Sequence, residues 1–365
     1  MKFFAVCEKG IGEFAFDELS ARFEIEPALK KNILVFDSGL EKAVEIAYLS
    51  QTITDLCILV SESMQPIEEA LPEMVKNCKF SYKKNASMFS VNSVISSESG
   101  IDLNSFQLSN KAGSLIQKAT GLKLSFREPD INFTIAAFKE YNLLGLSLFC
   151  TDLSKRPYRV FANKSSLNPT IASAFLIFSG INKGDKIVDP LAKDGTLILE
   201  AFHLLSGRPI RKCNKKEFVS SFSQEIEIKK ILEKADEKEE EAGTLIAADS
   251  SFANLDALRK NAKIAGVEKK ISLMKCTLAD HEFKLMGKGV EKAFSLASPD
   301  SGKPSLNEAM QSFLSACHAA NIKEAFLIYE YKSELSFTKT GFEKAKEKNI
   351  TRKKSIIKFI KLRAK

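Results

Sequence analysis

The feature that most restricts the fold is an alternation that begins near residue 186. The apolar run KIVDP precedes the amphipathic stretch TLILEAFHLL, and TLIAAD precedes NLDALRKNAKIAG. ISLMKC, KAFSLA, EAMQSFLSACHAA and AFLIYE continue the series. Short strands that are apolar on both faces must be covered by helices on both sides. The pattern therefore predicts an α/β domain with a doubly wound, mostly parallel sheet.

Such a sheet binds ligands at the carboxyl ends of its strands, where a tight turn aims backbone amides and a helix N-terminus outward. The first turn of this kind is VDPLAKDGT, residues 188–196. Asp189 at the strand end, Gly195 and Thr196 at the helix start and Glu200 one turn later form a cofactor-loop frame. Asp249 closes the next strand, where ribose hydroxyls are bound in such folds. Asp280 follows ISLMKC, within reach of an adenine amine. The three acids in this order predict a nucleotide-type cofactor. A strand-end aspartate also caps the following helix, so Asp249 has a second role open to it at the helix beginning near Phe252.

The first 150 residues read differently. KFFAVC, ILVF and LCILV predict strands around helices at 13–23 and 40–50, a small α+β unit with an antiparallel sheet. A second unit follows: a helix over 66–77, the strand 88–95, a helix over 106–120, then strands 133–138 and 143–150 separated by KEYN. Neither unit carries a catalytic constellation. Between the first two strands of the α/β domain, an insertion at 206–243 contains EIEIKKILEKADEKEEEA, whose mixed charges predict a solvated face.

Seven scattered cysteines without CxxC spacing predict reduced thiols in a cytoplasmic protein, and with three histidines they leave no metal site to expect. No apolar run reaches the roughly 18 residues of a membrane span. The net charge of +8 lies in residues 343–365, where ten Lys or Arg face two Glu. A basic end can track phosphates, and a lysine-rich terminus can equally be a solvated one.

The string YRVFANKSSLNPTIASAFLIFSGINKGDKIVDPLAKDGTLILEA (158–201) resembles the entry to the catalytic domain of THUMP-containing RNA methyltransferases, whose loop reads DPF-C-G-S-G-T. ADSSFANLDALRKNAKIAGV (248–267) is similar to the same family's second motif, an acid followed by N-A-x-x-A-G-V. Upstream, SMFSVNSVISSESG, LSNKAGSLIQKATGLKLSF, EPDINFTIAAF and LGLSLF resemble a THUMP domain, and GIGEFAFDEL the start of the ferredoxin-like domain before it. The resemblance implies a ferredoxin-like domain at 1–62, a THUMP RNA-binding domain at 63–152, a linker at 153–166 and a Rossmann-type methyltransferase domain at 167–365. It also implies S-adenosylmethionine as cofactor, held by Asp189, residues 193–196, Asp249 and Asp280.

Two loops depart from the family. Lys193 stands where the family has glycine, wanted there because the backbone approaches the cofactor closely, often at φ > 0. Asp194 replaces a small residue and would repel the cofactor's methionine carboxylate, although Lys193 could pair with it. The second loop is SPDSG, 298–302, where enzymes of this class carry N/D/S-P-P-Y/F to orient an exocyclic amine and stack the extruded base. Ser298 and Pro299 fit, Asp300 replaces the second proline and Ser301 the aromatic. Asp300 could accept from an amine, and before Ser301 and Gly302 it also fits an ordinary turn.

The resemblance further implies tRNA as partner. Lys155, Arg156 and Arg159 near the junction are the candidate phosphate contacts, with Lys83, Lys84 and Lys111 behind them. The terminal IIKFIKL predicts an edge strand presenting Arg352, Lys353 and Lys354, where lysines also serve to protect an edge. The expectation is a tRNA-binding member of this family with methyl transfer weakened or lost, acting alone or beside another RNA-modification protein. The alternative is an active tRNA guanine-N2 methyltransferase in which Ser298, Pro299 and Asp300 orient the amine.

Overall fold

The computed structural model describes residues 1–76, 82–83, 85–96, 99–139, 141–162, 166–217, 225–277, 289–297, 306–331, 335–352 and 355–365. They form two compact units. The first comprises Met1–Cys7, Glu18–Leu153 and Asn214–Ala235, and the second Glu8–Asp17, Ser154–Cys213 and Asp236–Lys365.

In the first unit the order is β1 (Lys2–Cys7), α1 (Gly12–Phe23, its first half grouped with the second unit), β2 (Ala28–Lys30), β3 (Ile33–Asp37), α2 (Leu40–Leu49), β4 (Ile53–Ser63), α3 (Ile67–Lys76), β5 (Met88–Ile95), α4 (Ser105–Thr120), β6 (Lys123–Leu124), β7 (Ile131–Ala137) and β8 (Asn142–Ser147). All eight strands join one sheet, ordered β2-β3-β1-β4-β8-β7-β5-β6. The eleven-residue β4 pairs antiparallel with β1 and with β8, so both stretches expected as separate α+β units share a continuous sheet.

Helix α4 shows how the sequence sets these elements. Asn104 and Gln107 form a reciprocal capping box, and Gly121 ends the helix in the left-handed region at φ 75°. Its apolar positions Leu108, Ala112 and Ile116 are buried with Phe89, Phe133 and Leu144 in one core.

The second unit holds α5 (Pro169–Ser179), β9 (Lys186–Asp189), α6 (Thr196–Ser206), β10 (Thr244–Asp249), α8 (Phe252–Ala265), β11 (Ile271–Lys275), β12 (Lys292–Ala297), α9 (Leu306–Ala319), β13 (Glu324–Glu330), β14 (Phe342–Arg352) and β15 (Ser355–Ala364). The intervening α7 (Glu225–Asp236) groups almost entirely with the first unit. It lies in the insertion expected to be solvated. Its charges are outward, as in the exposed Lys229–Glu233 pair, but Ile228, Leu232 and Ala235 are buried.

The sheet order is β11-β10-β9-β12-β13-β15-β14, with the first five strands parallel. The chain therefore reverses its direction of travel across the sheet between β9 and β12. That is the switch point at which open α/β sheets form their ligand crevice. Phe294 and Phe326, opposite each other on β12 and β13, stack at 4.8 Å inside the sheet's core. Helix α5 is buried around nearly its whole circumference, which is why its sequence lacks an amphipathic stripe.

The terminal apolar run does not lie at the edge of the sheet. β15 sits between β13 and β14, antiparallel to both, and β14 is the edge strand. Interior position is stable for this lysine-bearing strand because Lys358 meets Glu347 at 3.0 Å and Lys361 meets Glu324 at 2.6 Å. Among the described residues no helix is long and apolar enough to cross a membrane.

Candidate cofactor loop

Residues 190–195 connect the end of β9 to α6 at the switch point. The loop is pinned to the neighbouring strand, because the Ala192 amide donates to the Ala248 carbonyl at 3.0 Å. Gly195 has φ 81°, and a Cβ there would lie 2.5 Å from Leu258 Cγ, so both backbone and space require glycine. Lys193 also lies in the left-handed region, at φ 49°, and is only 8% exposed. That conformation costs a side-chain-bearing residue roughly 1–2 kcal/mol, a cost that glycine would not carry.

The carboxylates of the loop are already engaged. Asp194 Oδ1 accepts from the Thr196 amide at 3.2 Å and from Thr196 Oγ1 at 2.8 Å, while Oδ2 accepts from Arg159 Nε at 3.2 Å. The loop's own acid thus engages the first amide of α6, at the helix end whose dipole attracts anions. Asp249 accepts from the Lys193 amide at 3.0 Å, the Ser251 amide at 2.8 Å and Asn254 Nδ2 at 3.1 Å on both oxygens. A carboxylate offers about four lone-pair sites, and these contacts use them. Ser251, whose hydroxyl accepts from the Asn254 amide, is the N-cap of α8.

Asp189 is buried and accepts from the Leu191 amide at 3.2 Å. Burial pushes its carboxyl up to about 7. The Leu191 hydrogen bond and Lys193 oppose that shift, whereas Asp249 and Asp194 add to it. Residues including Ser166, Asp189, Lys193, Asp194, Thr196 and Leu296 line a shallow cleft with little enclosed space.

One turn into α6, Glu200 is fully buried in a cage of donors. Arg156 reaches it through Nε at 2.8 Å and Nη2 at 3.1 Å, Tyr158 Oη at 2.6 Å and Ser173 Oγ at 2.7 Å. Arg156 is therefore buried inside the second unit, which corrects its expected place on a phosphate-facing surface. Arg159 is partly buried against Asp194, whereas Lys155 is exposed. His203 stacks on Tyr158 at 5.9 Å, and burial holds its imidazole down to about 4.

Arg352 lies at the end of β14 with Nε 3.8 Å from a Glu8 carboxylate oxygen. In the first unit, Lys83 approaches Asp130 at 4.0 Å and Lys111 is exposed. Asp280, Ser298, Pro299, Asp300, Lys353, Lys354 and Lys84 lie outside the described residues.

The loop owes its shape to residues that motif reading does not single out. Asn261 donates to the carbonyls of Asp194 at 2.9 Å and Phe161 at 3.1 Å, and accepts from the Phe161 amide at 3.0 Å. It is the asparagine of the N-A-x-x-A-G-V string, which was the available signal. Tyr158 and Ser173, which hold Glu200 in α6, had none, because their partner is distant in sequence.

Sheet order and switch-point loop define a doubly wound α/β unit with a Rossmann-like fold. Residues 156–286 match the family model described as "UPF0020: RMKL-like, methyltransferase domain". The chain is 26% identical over 345 residues to the tRNA (guanine(6)-N2)-methyltransferase of Methanocaldococcus jannaschii, the match covering 88% of each chain. Among solved structures it is similar to TrmN from Thermus thermophilus, at a TM-score of 0.75 and 17% identity over 100% of this chain and 99% of that one. It is also similar to SMU.472, a putative methyltransferase complexed with SAH, at a TM-score of 0.78 and 16% identity over 100% and 98% of the two chains. At these identities the structural likeness shows the fold.

The residues present do not fit S-adenosylmethionine in this arrangement. Its carboxylate would meet Asp194 at the start of α6, its ribose would have to displace Asn254 or a loop amide from Asp249, and the buried Lys193 side chain stands in the loop at φ 49°.

Proposed function

We propose that this chain is a tRNA-binding protein on a methyltransferase frame, in which transfer of a methyl group is weak or lost. The observation that carries the second half is the capture of the α6 N-terminus by Asp194, with Arg159 as its counter-ion. The first half is supported by the archaeal tRNA methyltransferase similar over 88% of both chains. Exposed basic residues in both units, Lys111 in the first and Lys155 in the second, agree with it.

In this reading residues 1–62 are a ferredoxin-like domain and 63–152 a THUMP domain that recognises RNA, and the protein works in the cytoplasm. Binding without chemistry suits a tRNA chaperone or the companion of another RNA-modification protein. The rival reading is an active S-adenosylmethionine-dependent tRNA guanine-N2 methyltransferase. It is favoured by the retained frame of Asp189, Gly195, Thr196 and Asp249.

Two assays on the full chain test the proposal. Filter binding of tRNA across a salt series should give an affinity that falls steeply with salt, as phosphate contacts require. Absent or salt-independent binding contradicts the tRNA reading. Incubation of tRNA with the methyl-labelled donor should leave the RNA unlabelled, and stoichiometric labelling of a guanine would establish the rival.

A further inference from the structure

Helix α8 carries a stripe that the cofactor loop does not use. Phe252, Asp256, Arg259, Lys260 and Lys263 recur at i, i+4, i+7, i+8 and i+11, which places them on one side of the helix, and all are exposed. The opposite side, with Leu255, Leu258, Asn261, Ala262 and Ala265, is buried. Asp256 is answered within the stripe by Lys260 at 2.7 Å, so the remaining charge is cationic.

Single exposed apolar residues are ordinary and need no explanation. Phe252 differs in its surroundings. It is 71% exposed at the first position of α8, and Lys275 Nζ, at the end of β11, lies 3.3 Å from its ring centroid. A second aromatic, Phe161, is 40% exposed, is held to α8 by Asn261 and has Lys260 Nζ 5.0 Å from its centroid. Two accessible rings, each attended by a lysine and set along a basic helix face, combine the two components of sequence-tolerant single-strand recognition. Bases stack on the rings and the backbone tracks the cations.

We propose that this face of α8, with Phe161 and Lys275, is a platform for unpaired nucleotides of RNA. The inference rests on the tRNA-binding reading and adds to it a surface, and a preference for single-stranded segments. Duplex RNA buries its base faces and offers the rings nothing. Proteins are poorer candidates, because Arg259, Lys260, Lys263 and Lys275 surround two small apolar patches rather than one contiguous one.

The test uses the full chain and its Phe252→Ala and Phe252→Tyr variants. Each is titrated by fluorescence anisotropy with a labelled single-stranded oligouridylate, a duplex RNA of equal length and bulk tRNA. Thermal melts accompany each variant, and the exposed position should leave them unchanged. Phe252→Ala should weaken oligouridylate binding by about fivefold or more, with Phe252→Tyr close to wild type and duplex binding unaltered. Equal affinities of wild type and Phe252→Ala for oligouridylate, or equal losses on duplex and single strand, overturn the platform. If that occurs while wild type still binds tRNA, only the platform falls. Wild type that binds neither tRNA nor oligouridylate removes the tRNA reading and the platform together.

Discussion

Arg159 Nε stands 3.2 Å from Asp194 Oδ2, and the other oxygen of that carboxylate holds the Thr196 amide and hydroxyl. The segment before α5 thereby clamps the acid that accepts the first amide of α6. The Thr196 amide and hydroxyl at the start of α6 thus find their acceptor within the loop.

The buried Glu200 cage should matter for stability. Replacing Glu200 by Gln leaves the Arg156 guanidinium buried without its carboxylate. The expected loss is about 3–5 kcal/mol, read as a lowered urea midpoint. An unchanged midpoint would mean that the pair is not formed in solution.

Asp189 and His203 should give opposite pH responses. The Asp189 carboxyl is pushed up to about 7 from 3.8, so its contribution is complete below about 4 and is lost as the pH rises through 7. The His203 imidazole is lowered to about 4 from 6.5, so its contribution is complete above 6.5 and is lost as the pH falls towards 4. Relative to wild type, Asp189→Asn should therefore gain stability as the pH rises from about 4 to 7, and His203→Gln should gain it as the pH falls. Urea unfolding at intervals across that range checks both, and parallel curves for wild type and variants would contradict the assignment.

Gly195→Ala should destabilise the protein by more than about 1 kcal/mol, since it combines φ 81° with a Cβ pressed on Leu258. A thermal melt equal to wild type would show that the loop can relax without cost.

Much of the fold was legible because periodicity is local. The alternation from residue 186 onward gives the α/β sheet. Relations between distant residues were not legible. Nothing in TDLSKRPYR distinguishes Arg156, buried on Glu200, from the exposed Lys155 two residues before Pro157. Their different fates depend on where α6 lies. The interior position of β15 likewise depends on β14, whose charge-rich sequence EKAKEKN does not read as a strand and is stabilised there by pairing with its neighbour. The union of the first eight strands into one sheet required β4 to be long enough to pair on both sides, which LCILV alone did not indicate.

In the proposed function Lys193 and Asp194 close the loop to the methyl donor. Isothermal titration of S-adenosylmethionine into wild type and into the Lys193→Gly, Asp194→Ser double variant tests it most directly. Serine retains an acceptor for the helix start, and glycine suits the left-handed backbone. Wild type should give no saturable heat at micromolar protein, and the double variant should gain affinity by about tenfold or more, equivalent to ~1.4 kcal/mol. Micromolar binding by wild type, unaltered in the double variant, would contradict the claim.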